Sequence, residues 1–553
     1  MKTITPWLCL ITLIFTLAMP AAAPQAQTAV ADIGPAHSGS WYNPPQNGHG
    51  FSIEFGVTGG GDPLAVVYWY IYDDQGQPLF LTGTGVPQGN RVDIEFTSPT
   101  GMLFGEFDAA SVARDPGGRG VFEFSDNETG IFSYTPSDFT RQAWGHGPVE
   151  SLAISKVFGI PAPRVFGQPA SQVCAADPQS PFPDYDTTPL APDVSGMERD
   201  ARQAAADMTL GWNIGNTMEA IGGETAWGNP PVTSELLALV KASGFDAIRI
   251  PAAWDQYADA DTARIDRDWL DRVRTVVQYG VDNDLDVVVN IHWDGGWLEN
   301  NVTPDKRAEV QARQRAYWQQ IATHLREFDD RVLFASANEP HVENGEQMAV
   351  LMAYHQAFVD AVRCTGGRNA YRTLVIQGPK TDIELTDALF TRMPVDTVPN
   401  RLMAELHFYT PYNFTLMTED QDWGKQFYYW GQGNHSPTEP DRNPTWGEED
   451  TIDELLAVAG RQFVEQGIPV IIGEYGAQRR DNLAGEQRER NLKSRADWLE
   501  YVTRQSLANG LVPFYWDTGG LDNNQSGLFD RDSLTVFDRQ GLDALLRGAG
   551  KLD

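Results

Sequence analysis

From residue 195 onward the chain alternates eight short apolar runs with amphipathic stretches, a pattern that few architectures accept. The runs span 210–214, 247–250, 287–291, 332–336, 373–377, 402–406, 469–472 and 511–515. Between them, helical spacing predicts helices over 268–283, 306–328, 348–362, 452–466 and 487–508. Short continuous apolar runs of this kind suit strands covered on both faces, as in a parallel sheet. Eight strand–helix units in roughly 350 residues fit a closed (β/α)8 barrel with long loops. An open doubly wound sheet is the competitor. No Gly-x-Gly-x-x-Gly follows any of the runs, and eight units is the number that closes a barrel.

The preceding residues have other textures. Residues 1–26 resemble a secretory signal, with Lys2, an apolar core over 8–19, then Pro20 and a run of alanines. That core is short for a transmembrane helix, so a secreted protein is expected, extracellular or periplasmic. Residues 37–158 carry period-two runs such as 91–96 and 120–124, broken by Gly, Pro and Asp turns. They predict a small all-β domain, sandwich or barrel. Residues 159–195 hold eight prolines and predict a semi-rigid linker, and 196–553 form the predicted barrel domain. The formal net charge of −34 argues against nucleic acid or an anionic membrane as partner, and a monomer is expected. Removal of the leader leaves Cys174 and Cys364; an exported chain can pair them, and two spare thiols is the other reading.

The residues that end the predicted strands carry the functional information. The first strand ends in Asn213-Ile214-Gly215-Asn216, and the second carries Arg249. The third ends in His292-Trp293, the fourth in Asn338-Glu339-Pro340, and the fifth in Gly378-Pro379 with nothing ionisable. The sixth ends in His407-Phe408-Tyr409, the seventh in Gly473-Glu474-Tyr475 and the eighth in Tyr515-Trp516-Asp517. Taken singly, each has a structural explanation: an ion pair for Arg249, a helix start for Glu339, core packing for Trp516. Together they gather at one end of the barrel, the end where catalytic groups of such barrels collect. Two carboxylates in one mouth are the minimum equipment for cleaving a glycosidic bond: one to protonate the leaving oxygen, one to attack or to activate water. The histidines sit singly on different strands without paired metal-ligand spacing, so neither a metal nor another cofactor is expected.

In order, Arg249, His292, Asn338-Glu339-Pro340, His407-x-Tyr409, Glu474 and Trp516 resemble glycoside hydrolase family 5, the cellulase-type retaining barrels. The stretches 210–217 (Leu-Gly-Trp-Asn-Ile-Gly-Asn-Thr), 224–230, 409–415 and 526–531 resemble its subfamily 4 endoglucanases and xyloglucanases. The resemblance covers roughly residues 200–545 and implies an endo-β-1,4-glucanase acting on a β-glucan chain. Xyloglucanase, licheninase, xylanase or mannanase activity is the alternative on the same scaffold, and a non-catalytic carbohydrate-binding protein the alternative outside it. It further implies Glu339 as acid/base and Glu474 as nucleophile. Arg249 and Tyr409 should hold Glu474 ionised, Asn338 should reach the sugar 2-hydroxyl, and His292 and His407 should position groups. Trp516 should stack on sugar, with Asn216 and Trp227 as further binding residues. Glu339 should have a raised pKa, with Glu474 close by. One departure is Trp293, where many relatives have a second histidine. The loop after the sixth strand is rich in aromatics, which either line a polymer cleft or pack the insertion. In the first domain Ser38–Pro44 and Gly48-His49-Gly50-Phe51 resemble a β-rich module found in exported bacterial proteins. It is read as a carbohydrate-binding module stacking sugar on Trp41, Trp69 or Tyr72, as a core filled by those aromatics, or as a structural brace.

Overall fold

The computed structural model describes residues 33–34, 37–46, 48–57, 63–101, 112–125, 129–159, 174, 179–186 and 188–552. The predicted leader, and the prolines at 161, 163, 169 and 178, lie outside these residues. The chain divides into two compact units, Met1–Gly167 and Gln168–Asp553.

In the first unit eight antiparallel strands close into a barrel in sequence order. They are β1 (Gly39–Tyr42), β2 (Gly50–Val57), β3 (Pro63–Tyr72), β4 (Pro78–Gly85), β5 (Arg91–Thr100), β6 (Ala113–Phe124), β7 (Thr129–Thr135) and β8 (Val149–Gly159). Strand β1 pairs with β8 and leaves no free edge. Alternation decides what faces inward: Val67 and Trp69 enter the core, while Tyr68, Tyr70 and Tyr72 point out. Trp41 and Trp69, named above as possible sugar platforms, are 1% and 3% exposed. They stack instead among Phe51, Phe96, Phe124, Phe132 and Tyr134. A small barrel has too little interior for aliphatic residues alone, and large rings fill it. Of the three, only Tyr72 is exposed.

The second unit is a closed barrel of eight parallel strands. These are β9 (Gly211–Ile214), β10 (Ala247–Ile250), β11 (Asp286–Asn290), β12 (Val332–Ala335), β13 (Leu374–Gln377), β14 (Leu402–Phe408), β15 (Val470–Tyr475) and β16 (Leu511–Asp517), with β16 pairing back to β9. The five predicted helices form, at Arg267–Asp282, Arg307–Leu325, Gly345–Thr365, Glu449–Gln462 and Gly485–Ala508. Inward positions are apolar at the N-terminal end: Ala247, Val288, Leu333, Val375, Met403, Ile471 and Val512 pack together. A short helix, Ala201–Asp207, closes this end with Ala201, Ala204 and Met208. Two residues further along several of the same strands, the inward positions turn polar.

The second half of the proline-rich stretch is more than a spacer. Phe182 is buried in the barrel's outer core, and Tyr185 donates its hydroxyl to the Thr262 carbonyl and its N–H to Gln319. Leu190 exchanges backbone hydrogen bonds with Thr365 and Gly367. Cys174 and Cys364 form a disulfide that spans 190 residues of sequence. Removing the bridge by Cys174→Ser should cost about 2–4 kcal/mol in denaturant unfolding, because a long unfolded-state loop is set free. An unchanged midpoint under oxidising conditions would show that the strap's packing alone secures it.

Candidate active site

The site is built on the upper inward positions of the parallel barrel. Val375 is followed two residues later by Gln377, Ala247 by Arg249, and Met403 by Glu405 and then His407. A period of two puts each of these on the same inner face, at the C-terminal end.

Arg249 is the hub and is fully buried. Its Nη1 donates to Glu474 Oε1 (2.9 Å) and Asn213 Oδ1 (3.0 Å), and its Nη2 to Asn338 Oδ1 (2.7 Å). Its Nε lies 2.9 Å from Glu405 Oε1. Burial opposes the charge, but Glu405 and Glu474 outweigh it, so Arg249 holds its proton more tightly than usual. A rigid guanidinium fork suits this task better than a lysine would.

Glu474 reaches the cleft through a bulge. Leu406 pairs with Ile472, but His407 pairs with Glu474, so Gly473 is the extra residue of β15. Any side chain at 473 would collide with the Glu405 carboxylate. The Tyr409 hydroxyl donates to Glu474 Oε2 at 3.0 Å. Burial raises the Glu474 pKa; His407 and Arg249 pull it back, while Glu339 and Glu405 add to the rise. With Arg249 and Tyr409 both donating to it, the carboxylate is the form this geometry favours.

His407 bridges the acids. Its Nδ1 is 2.7 Å from Glu339 Oε1 and 3.7 Å from Glu474 Oε2, and its Nε2 is 3.2 Å from Glu405 Oε1. Both ring nitrogens therefore face acceptors, which an imidazolium satisfies and a neutral ring does not. Burial disfavours that charge, but Glu474, Glu339 and Glu405 outweigh it and push His407 up to about 10. This reverses the expectation for Glu339. Burial does raise its pKa, yet the hydrogen bond and charge of His407, with Arg249, leave it lowered. The sequence reading gave His407 a positioning role and named only Glu474 as acting on the Glu339 pKa; the fold puts a charged His407 in contact with Glu339. The surrounding carboxylates thus favour an imidazolium at His407 over a protonated Glu339 across their 2.7 Å contact.

One oxygen of Glu339, one of Glu474 and a ring nitrogen of His407 all lie within 4.8 Å of one another. The two carboxylates differ in access: the Glu339 side chain is 40% exposed and that of Glu474 is 7%. His292 accepts from Asn290 Nδ2 at Nδ1 (3.3 Å) and stacks on Trp516, with centroids 5.7 Å apart and planes 8° apart. Burial and the nearby Arg249 and His407 charges keep it neutral. Asn216, at φ 56°, lies in the turn after β9, where the Glu219 carboxylate accepts its N–H and that of Thr217. Trp227 is exposed on the loop that follows.

The aromatic loop after β14 divides. Phe414, Phe427, Tyr428, Tyr429 and Trp430 are buried, whereas Tyr412, Trp423 and Trp446 are exposed, Trp423 at 65%. Trp293 is exposed after β11, and Trp297 packs edge-on against Tyr317. The exposed rings all sit on loops at the C-terminal ends of strands, the face that holds Glu339 and Glu474.

Several supporting residues were not singled out from the sequence. Glu405 anchors Arg249 and His407 and accepts from Gln377 Nε2 at 2.6 Å. Its signal was available: an acid at an inward position of an apolar strand, two residues before His407. Arg531, noted above only as part of the 526–531 stretch and given no role, ties the β9 turn to the end of β16 through Gly215, Thr217 and Asp517. Glu299, on the loop after β11, accepts the Glu339 N–H at 2.7 Å and is buried. No local pattern marks it, because its partner lies 40 residues away.

Burial raises the Glu299 pKa to about 7, with the Glu339 charge contributing. The folded protein thus holds a proton there that the unfolded chain releases at its ordinary value of 4.5. Its stabilisation is complete below that value and is lost as pH rises through about 7. Wild type should therefore lose on the order of 3 kcal/mol relative to Glu299→Gln between pH 4.5 and 7.5. Parallel thermal melts check this; a difference that does not vary with pH would refute it.

A parallel eight-stranded barrel with two converging glutamates at its C-terminal mouth defines a glycoside hydrolase. The chain belongs to glycosyl hydrolase family 5: the family's cellulase model matches residues 213–522. It is 41% identical over 388 residues to a xyloglucan-specific endo-beta-1,4-glucanase of Bacteroides ovatus, covering 66% of this chain and 74% of that protein. The structure of a Bacteroides ovatus xyloglucanase of the family, in complex with a XXXG heptasaccharide, superposes with a TM-score of 0.62 at 30% identity. That match covers 83% of this chain and 96% of the other. A subfamily 4 broad-specificity endoglucanase of Ruminococcus champanellensis, with bound cellotriose, gives a TM-score of 0.55 at 30% identity, covering 63% and 99%. The protein is a glycoside hydrolase of the endo-β-1,4-glucanase type.

Proposed function

We propose that the chain is an exported endo-β-1,4-glucanase that cleaves internal bonds of β-glucans with retention of anomeric configuration. The observation that carries this is the separation of Glu339 and Glu474, whose oxygens approach within 4.8 Å. Retaining pairs stand about 5–5.5 Å apart, whereas inverting pairs need about 6.5–9.5 Å to admit a water. Glu474, sheltered and held by Arg249 and Tyr409, attacks the anomeric carbon from one face. Glu339, open to the cleft, hands a proton to the departing oxygen on the other. That proton comes across the bond from His407 Nδ1. The negative charge of Glu474 leads the influences that keep His407 protonated, so forming the Glu474 ester withdraws that support as the leaving group needs the proton. In the second half, Glu339 takes a proton from water, which then attacks the ester. Trp516, with His292 stacked against it, offers a flat apolar face to the sugar. Asn338, with its oxygen fixed by Arg249 and one amide N–H engaged by Glu299, has its second amide N–H for donation near the 2-hydroxyl.

Xyloglucan is the second reading, favoured by the names of the Bacteroides ovatus relatives. Export is supported by the leader-like first 26 residues and by the Cys174–Cys364 bridge, which an oxidising compartment preserves. The first unit is assigned to holding substrate. Reducing-sugar release from carboxymethylcellulose, xyloglucan, barley β-glucan, xylan and mannan tests the substrate class. Proton NMR of the first products tests the stereochemistry, and initial appearance of the α-anomer would overturn retention.

A further inference from the structure

The motif Gly48-His49-Gly50-Phe51 has no part in the chemistry above. It borders a cavity of about 360 Å³ at one end of the first unit's barrel. The rings of Trp69, Tyr134 and Trp144 line it, with His49, His146 and Asp74. Its volume is at the low end of the roughly 300–1,000 Å³ typical of small-molecule sites.

Three buried nitrogens at this cavity have no partner in the protein: Trp69 Nε1, His49 Nδ1 and His146 Nδ1. The opposite histidine nitrogens are engaged. Nε2 of His146 is 3.1 Å from the Tyr72 carbonyl, and Nε2 of His49 is 3.0 Å from Gln46 Oε1. A carbonyl only accepts, so His146 carries its proton on Nε2, and its Nδ1 is an acceptor. With Gln46 Oε1 as its partner, His49 is the same. These nitrogens lie beneath the surface, and the walls themselves combine His49, His146, Asp73 and Asp74 with the rings of Trp144 and the exposed Tyr72, a mix of polar and aromatic groups that suits a neutral ligand with both hydroxyls and an apolar face. Asp73 and Asp74 on the lining disfavour an anion.

We propose that this cavity is a saccharide-binding site that takes the end of a neutral β-glucan chain or a short oligosaccharide. Sugar hydroxyls donate and accept at once, and the C–H face of a pyranose packs on an aromatic ring. The choice of saccharide among neutral polar ligands rests on the β-glucan reading of the second unit. Tyr72 lies on the cavity lining and ends the outward row of Tyr68, Tyr70 and Tyr72, with Phe80 directly across from Tyr70. A longer chain leaving the cavity would meet these rings.

The test is calorimetric titration of the full chain with cellohexaose in a Glu474→Gln background, where turnover is stopped. Two molecules should bind per chain, and one when Trp144→Ala is added. Tyr72→Ala, at an exposed ring on the cavity lining, should weaken the same event at least tenfold and guards against a folding defect in Trp144→Ala. One molecule per chain in the parent, unchanged by either substitution, would overturn the cavity site while leaving the glucanase reading intact. Absence of binding together with absence of β-glucan hydrolysis by wild type would overturn that reading, and the saccharide assignment with it.

Discussion

Glu474→Ala is expected to lower kcat on a soluble β-glucan by on the order of 10⁵-fold, about 7 kcal/mol of transition-state stabilisation. The loss is of chemistry and not of folding, because Arg249 keeps Glu405 and Asn338 as partners and His407 keeps Glu339 and Glu405. Azide should restore part of the rate by entering the vacated space, and its single displacement on a β-linked substrate should give an α-glycosyl azide. Glu339→Ala should behave differently. It should keep the first step with an aryl glycoside whose leaving group needs no proton, and azide should then yield the β-product. The configuration of the two azides assigns the two roles independently of any rate. A β-azide from Glu474→Ala would contradict the nucleophile assignment.

Arg249→Met should be damaging in two ways at once. It leaves Glu405, fully buried, and Glu474 without the guanidinium that touches both. Breaking a buried pair by removing one member costs about 3–5 kcal/mol, since the remaining charge stays desolvated. The same loss removes an influence that holds the Glu474 pKa down. The acidic limb of the kcat/KM profile should therefore move to higher pH, with the residual activity depressed. Urea unfolding reads the first effect and the pH profile the second. An unfolding free energy within about 0.5 kcal/mol of wild type, the usual range for a neutral surface substitution, would show that the buried network does not depend on Arg249. Arg249→Lys should recover part of the stability but not the profile, because an ammonium cannot reach Asn338, Glu405 and Glu474 together.

Much of the second unit was legible from the chain itself. Local periodicity determined eight strands and five helices, because a strand buried on both faces and an amphipathic helix each leave a pattern within a dozen residues. The strand-end residues Arg249, His292, Asn338, Glu339, His407, Tyr409, Glu474 and Trp516 could be named for the same reason: the barrel's topology sends all strand ends to one rim. In the first domain the alternation predicted strands, but it could not distinguish a ring pointing into a barrel from one pointing out. Sugar platform and core filler thus both stayed open for Trp41 and Trp69 until closure of the barrel fixed which face was inner.

What the fold alone decided is how the charges divide. Glu405, Glu299 and the bulge at Gly473 are separated in sequence from the groups they serve, and only barrel closure brings them within hydrogen-bond distance. Because electrostatic influence falls with distance through space and is strengthened by burial, the insertion of His407 between Glu339 and Glu474 reversed the proton's expected resting place. Residue order was sufficient to name the two strand-end glutamates, Glu339 and Glu474. Whether Glu339 or His407 is favoured to carry the proton they share depended on three-dimensional neighbours that no stretch of sequence displays.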